Sequence, residues 1–351
     1  MRTTSFIVLP AVLMASGFAR AQEDGVDLRD PREVRLANVR QLTFGGDNAE
    51  AYFDRTGSRL VFQSTRDALG CDQIFTMGAD GSDVRMVSSG KGRTTCAYFF
   101  PDGKRILYSS THHLSPDCPP KPDYSSGYVW PLYAYDVFVA DVDGGNPRPI
   151  TDPAGYDAEA TIRPDGGRIV FTSTRDGDIE LYSMAPDGTD VVRLTHEEGY
   201  DGGAFYSEDG KRICYRAHHP GGEEEAKRYR EKLARSEVEP IVLEIWVMDA
   251  DGSNKTQVTS NGAANFCPFF HPSGEWIVFA SNMSDPAGHD FDLYGVRADG
   301  SGLERITYYA DFDAFPMFSP DGKKLVFASN RHGSRPRETN IFIADWVEEQ
   351  K

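Results

Sequence analysis

Four histidines come as adjacent pairs, His112-His113 and His218-His219, and each pair ends an apolar stretch whose counterparts in two other repeats end in Arg-Asp, at Arg66-Asp67 and Arg175-Asp176. Neutral imidazole is a good ligand for a transition metal, so the pairs raise the chemistry of a divalent metal centre. Three aspartates, Asp157, Asp201 and Asp313, occupy matching places with Asn48, Thr94 and Asn265 near the starts of short apolar strands. Carboxylates gathered in this way could hold a cation or meet a basic ligand group. Equally, Asp at a strand start accepts hydrogen bonds from the backbone N–H groups of its own turn. Arg66 and Arg175 stand where the His-His pairs stand elsewhere. Tyr128 and Trp130 lie in a segment with Tyr124, Tyr133 and Tyr135, which could form either a contact surface or core packing. Nucleophilic catalysis finds no foothold, because no Gly-x-Ser-x-Gly, HExxH or phosphate-binding glycine loop occurs. The Asp-Gly turns lack the DxDxDG order and closing Glu of a calcium loop and read as hairpin turns.

These residues share a frame. A turn followed by an apolar strand recurs six times: Arg55-Thr56-Gly57-Ser58-Arg59, Pro101-Asp102-Gly103-Lys104-Arg105, Pro164-Asp165-Gly166-Gly167-Arg168, Glu208-Asp209-Gly210-Lys211-Arg212, Pro272-Ser273-Gly274-Glu275-Trp276 and Pro320-Asp321-Gly322-Lys323-Lys324. A period of about 45 residues, with about four strands in each, predicts a six-bladed β-propeller of four-stranded antiparallel blades. Period-two alternation with aromatics suggests half-buried strands. The sixth repeat stops after its third strand, and residues 39–44 match the missing fourth. The N-terminal strand is therefore expected to close the last blade. Residues 39–351 form the propeller, interrupted by insertions at 114–135 and 220–240 between second and third strands. The second insertion, with Ala226, Tyr229 and Leu233 at helical spacing, predicts a surface helix. Strand direction puts both insertions, the His pairs and the Asp ring on one face, opposite the Pro-Asp-Gly turns. Alternate blades separate the two His pairs by roughly 20 Å, too far to share one metal.

Residues 1–21 have the parts of a secretory signal: Met1-Arg2-Thr3, an apolar run from Phe6 to Phe18, and Ala19-Arg20-Ala21 at the cleavage point. Residues 22–38 read as a linker, and the mature chain as periplasmic or secreted, with no membrane span. The formal net charge of −17 disfavours nucleic acid as a partner. Five cysteines in an exported chain leave at least one unpaired. Cys71 and Cys118 lie in corresponding loops of neighbouring blades and are the expected disulfide. Cys214 reads as core, and Cys96 and Cys267 fall in opposite blades, too far apart to pair.

The near-ideal repeat Phe318-Ser319-Pro320-Asp321-Gly322-Lys323-Lys324-Leu325-Val326-Phe327-Ala328-Ser329-Asn330-Arg331 resembles the TolB-like propeller family, and the likeness extends over nearly everything after residue 38. The resemblance implies fold more than function, since similar propellers serve as binding modules, as accessory domains on hydrolases and as lyases. It does not extend to the separate α/β domain that precedes the TolB propeller, so no partner of that domain is carried over. The leading expectation is a monomeric, non-enzymatic module without a cofactor, binding an envelope protein or a polysaccharide on the insertion face. A carbohydrate-active enzyme resembling the oligogalacturonate lyases, with a divalent metal, is the alternative. An accessory module to a separate hydrolase is a further one.

Overall fold

The computed structural model describes residues 28–152, 155–286 and 288–348, and the expected signal sequence lies outside them. Six four-stranded antiparallel sheets form a ring of blades. Their inner strands are Asp47–Phe53, Thr94–Phe99, Asp157–Ile162, Tyr200–Tyr206, Asn265–Phe270 and Asp313–Phe318. Each Pro-Asp-Gly-type turn then delivers a second strand whose apolar triplet is sealed. Leu60, Val61 and Phe62 are all 0% exposed, and Leu325, Val326 and Phe327 likewise. Consecutive burial replaces the expected alternation because a blade is covered on both faces by its neighbours. The glycine of each turn sits in the left-handed region, as at Gly103 (φ 65°), which frees Asp102 to accept the Lys104 N–H at 2.8 Å.

The ring closes as expected. Leu36–Gln41 pairs antiparallel with Asn340–Trp346, from Leu36 opposite Trp346 to Gln41 opposite Phe342. The expected linker needs correction at its end, because residues 28–35 pack on the last two blades. Glu33 is fully buried there and receives both terminal nitrogens of Arg331, at 2.8 and 3.1 Å. A charge with buried partners on folded structure cannot belong to a free tether.

Both insertions are ordered and they meet. The first contains Trp130–Pro131, the second a helix at Glu223–Leu233 followed by Glu237–Val238. Trp130 pairs with Val238 and Pro131 with Glu237, and the Leu132 N–H donates to the Ser236 carbonyl at 2.7 Å. Loops from blades two and four thus join into a strap above the channel. Cys71 is joined to Cys118, tying blade one to the base of the first insertion. Cys96, Cys214 and Cys267 are free, and Cys214 is buried in the core. Among the described residues no helix is long and apolar enough to cross a membrane.

Candidate functional site

Every inner strand carries a bulge at its third or fourth residue. In blade one Ala49 faces Gln63 and Tyr52 faces Val61, so Glu50 and Ala51 together oppose one residue. The bulged residue is left-handed in all six blades: Glu50 (φ 52°), Cys96 (53°), Glu159 (56°), Gly203 (60°), Cys267 (54°) and Phe315 (54°). A bulge re-aims a side chain, and five of these positions hold that costly conformation without glycine. All six line a cavity of about 530 Å³ at the strap end of the channel. In blade four the position is Gly203, and a Cβ there would displace the Arg216 guanidinium.

The cavity is closed below. Tyr52, Tyr98, Phe205 and Phe269 form a floor of tilted rings, with the Phe205 centroid 5.5 Å from Tyr52 and 5.3 Å from Phe269. Beneath it Arg55 of blade one reaches Glu208 of blade four in a two-pronged ion pair of 2.6 and 2.7 Å. These are the two repeats whose turn begins without Pro or with Arg or Glu in its place, and they are opposite blades. The strap forms the roof, bringing Tyr128, Trp130 and Leu132 to the cavity.

Charge inside is distributed unevenly. Arg216, nearly inaccessible, binds Glu159 and the Tyr200 hydroxyl (3.0 Å from Nε) and lies 5.0 Å from the Trp130 ring centre. Glu159 also accepts from Thr172 Oγ1 at 2.9 Å and the Gly203 N–H at 3.0 Å. Glu50 has no such support: its neighbour is the Cys96 thiol, 3.8 Å away. Burial, and then the nearby Glu159 charge, push the Glu50 carboxyl up to about 7. Burial also raises the thiols of Cys96 and Cys267 well above their ordinary range, which keeps them neutral and unreactive.

The expected ring of Asn48, Thr94, Asp157, Asp201, Asn265 and Asp313 does not line this cavity. All six are buried inside their blades. Arg66 donates to Asn48 at 2.7 Å, Arg175 to Asp157 at 3.1 Å and Arg331 to Asp313 at 2.9 Å, so these arginines staple second strand to first. Asn265 is held by the Leu243 carbonyl at 2.7 Å and by Glu244 at 3.1 Å. The histidines are engaged within or near their own blades. His112 meets Ser110 at 2.7 Å, His113 meets Asp136 at 2.8 Å, His218 meets Glu225 at 3.0 Å and His219 meets Asp201 at 3.3 Å. Burial would lower the His219 pKa, but the Asp201 carboxylate outweighs it and raises it. Among the described residues no group of three or more His, Cys, Asp or Glu is placed to hold a metal ion.

Blade four also corrects a register. Asp201 pairs with Ala217 as Asn48 pairs with Ser64, so His219 takes the place of Arg66, and Arg216 that of Gln63. A one-residue slip exchanges the faces of a strand, which is how Arg216 enters the channel unforeseen. The bulge column mixes Glu, Cys, Gly and Phe, so no shared chemistry marks it in the sequence.

The TolB beta propeller domain family matches residues 133–241 and 230–346. The uncharacterized protein Atu1656 of Agrobacterium fabrum is 28% identical over 159 residues, 45% of this chain and 46% of that protein. The uncharacterized peptidase YuxL of Bacillus subtilis is 26% identical over 183 residues, 46% of this chain and 28% of the peptidase. The alignments thus span half or less of these relatives' lengths. Among solved structures, a putative TolB from Agrobacterium tumefaciens superposes with a TM-score of 0.58 at 20% identity, covering 86% of this chain and 91% of that one. That last likeness speaks for the fold alone.

Proposed function

The chain belongs to the TolB beta propeller domain family, and on that premise we propose that it is an exported, non-enzymatic binding module that takes a protein or polysaccharide ligand at the strap face of its channel. The observation that carries this reading is the cavity itself. Tilted rings from the inner strands floor it, aromatic side chains line it, and loops from two blades roof it. Concave, mostly apolar sites with a few aimed polar groups are where ligands bind. Tyr128 is 57% exposed and stacks on Tyr124 with ring centres 5.7 Å apart, which extends the apolar surface onto the rim. Rigid aromatic surface of this kind suits a sugar ring or an extended peptide.

The similarity to a segment of YuxL supports a second use of the same surface, as an accessory module serving a separately made hydrolase. The two readings differ in partner and share the site.

The test is capture from fractionated envelope proteins and from a glycan array by the immobilised chain. Tyr128→Ala and Trp130→Ala are each expected to lower capture at least about tenfold, the loss of a hot-spot aromatic, while melting stays within about 4 °C of the parent. Undiminished capture by both variants would move the site off this face.

A further inference from the structure

Among the charged groups lining the cavity, those set deep in the fold have partners, with one exception. Glu159 is neutralised by Arg216, and Arg93 by Asp72, with Nε and Nη2 at 3.0 and 2.5 Å from one carboxylate oxygen. Lys121 is exposed on the strap. Glu50 makes no ion pair among the described residues, although folding carries it into the channel on a strained bulge; the nearby Arg216 charge is bound to Glu159. Glu50 is half-buried, and a carboxylate with reduced access to water is costly to ionise unless something positive meets it. Tyr52 lies beside it, and Tyr156, Phe266 and Phe315 line the same cavity. Aromatic faces are electronegative, and with a carboxylate they make a cage for an organic cation. An anionic ligand is disfavoured beside the ionised Glu50, and above about pH 7 a neutral one leaves that charge without a counter-ion.

We propose that the inner end of the channel is a subsite for a primary ammonium group, with the Glu50 carboxylate as its counter-ion inside the aromatic wall. The subsite rests on the reading of this cavity as the binding site and adds the chemistry of what enters it. A volume of about 530 Å³ accommodates a whole small amine or the amino-bearing end of a peptide, and both present the same group.

Titration calorimetry with n-butylammonium chloride tests the subsite, with n-butanol as the uncharged control. At pH 8 the ammonium is expected to bind at one site, at least about tenfold more tightly than the alcohol, the magnitude of one charge-assisted contact. The preference shrinks roughly tenfold between pH 8 and pH 6, because Glu50 turns over near pH 7 and must be ionised to pair. The groups facing Glu50 are Glu159 and Arg216, Cys96, Cys267 and Tyr52, with Asp72 beyond. Cys96, Cys267 and Tyr52 are held neutral and Arg216 charged across this interval. Glu50→Gln keeps the shape and is expected to abolish both the preference and its pH dependence. A lysine-containing tetrapeptide and its fully acetylated form separate the sources. Tighter binding of the peptide than of butylammonium, lost on acetylation, assigns the group to a chain; binding of butylammonium with none of the peptide assigns it to a free amine. No preference for ammonium over alcohol in the parent, or the same preference in Glu50→Gln, overturns the subsite. Because Tyr128→Ala and Trp130→Ala report on capture of the larger ligand, loss of capture with the ammonium preference intact tells the two readings apart.

Discussion

Glu50 sets a stability profile that can be measured without any ligand. Its carboxyl, ordinarily near 4.5, is raised to about 7 by burial and by Glu159. The folded chain therefore keeps a proton that the unfolded chain has already released. The contribution to stability is complete below pH 4.5, declines as the pH rises toward 7, and is flat above it. Asp292 adds in the same direction, raised from 3.8 to about 7 by a burial that its ion pair with Arg305 does not offset. For Glu50 the full shift would correspond to about 3 kcal/mol, and contact with channel water reduces this to on the order of 1–3 kcal/mol. Urea unfolding at pH 5 and pH 8 is expected to show that much less pH-dependent loss in Glu50→Gln than in the parent. Equal losses in the two proteins would remove Glu50 as a source. The same residue shows what sequence could not reveal, since its left-handed bulge comes from strand pairing and leaves no mark in its identity.

The inserted helix was legible where the strap was not. Ala226 and Tyr229 recur at helical spacing and are buried, with Glu223, Glu224 and Glu225 in the first turn, where they complement the helix dipole. Trp130–Pro131 and Glu237–Val238 are two-residue strands brought together from distant parts of the chain, and so short a pairing has no periodicity to read. The His pairs were prominent in sequence for a reason that proved local, because each imidazole meets a hydroxyl or carboxylate close at hand. Tyr229 ties the helix to the ring, its hydroxyl lying 2.5 Å from both Asp178 Oδ1 and the Gly199 carbonyl. Tyr229→Phe leaves the ring packing intact and removes that tie. The expected cost is about 1 kcal/mol, concentrated in faster amide exchange over residues 223–233 rather than in the blades. Uniform acceleration across the propeller would mean that the helix is part of one cooperative unit with the ring.

Closure of the ring rests on a buried triad that the repeat pattern only half disclosed. Residues 39–44 matched the missing fourth strand, but the lock lies ahead of them, where Glu33 and Asp313 both bind Arg331. All three side chains are essentially inaccessible, at 0, 0 and 2%. Glu33 further accepts the backbone N–H groups of Asp30 at 3.1 Å and Tyr308 at 3.2 Å, so one carboxylate joins the N-terminal segment to blades five and six. The Arg55–Glu208 pair spans the ring too, but at 40 and 37% exposure it contributes only about 0–1 kcal/mol. Arg331→Met should be far more damaging, because it strands two carboxylates in the interior at a cost of about 3–5 kcal/mol. Replacing all three, with Glu33→Gln and Asp313→Asn added, removes the stranded charge and is expected to recover most of that loss. Melting temperatures of the parent, the single variant and the triple variant check this. If the single variant melts with the parent, the ring is held by strand pairing between Leu36–Gln41 and Asn340–Trp346, and the triad is incidental to closure.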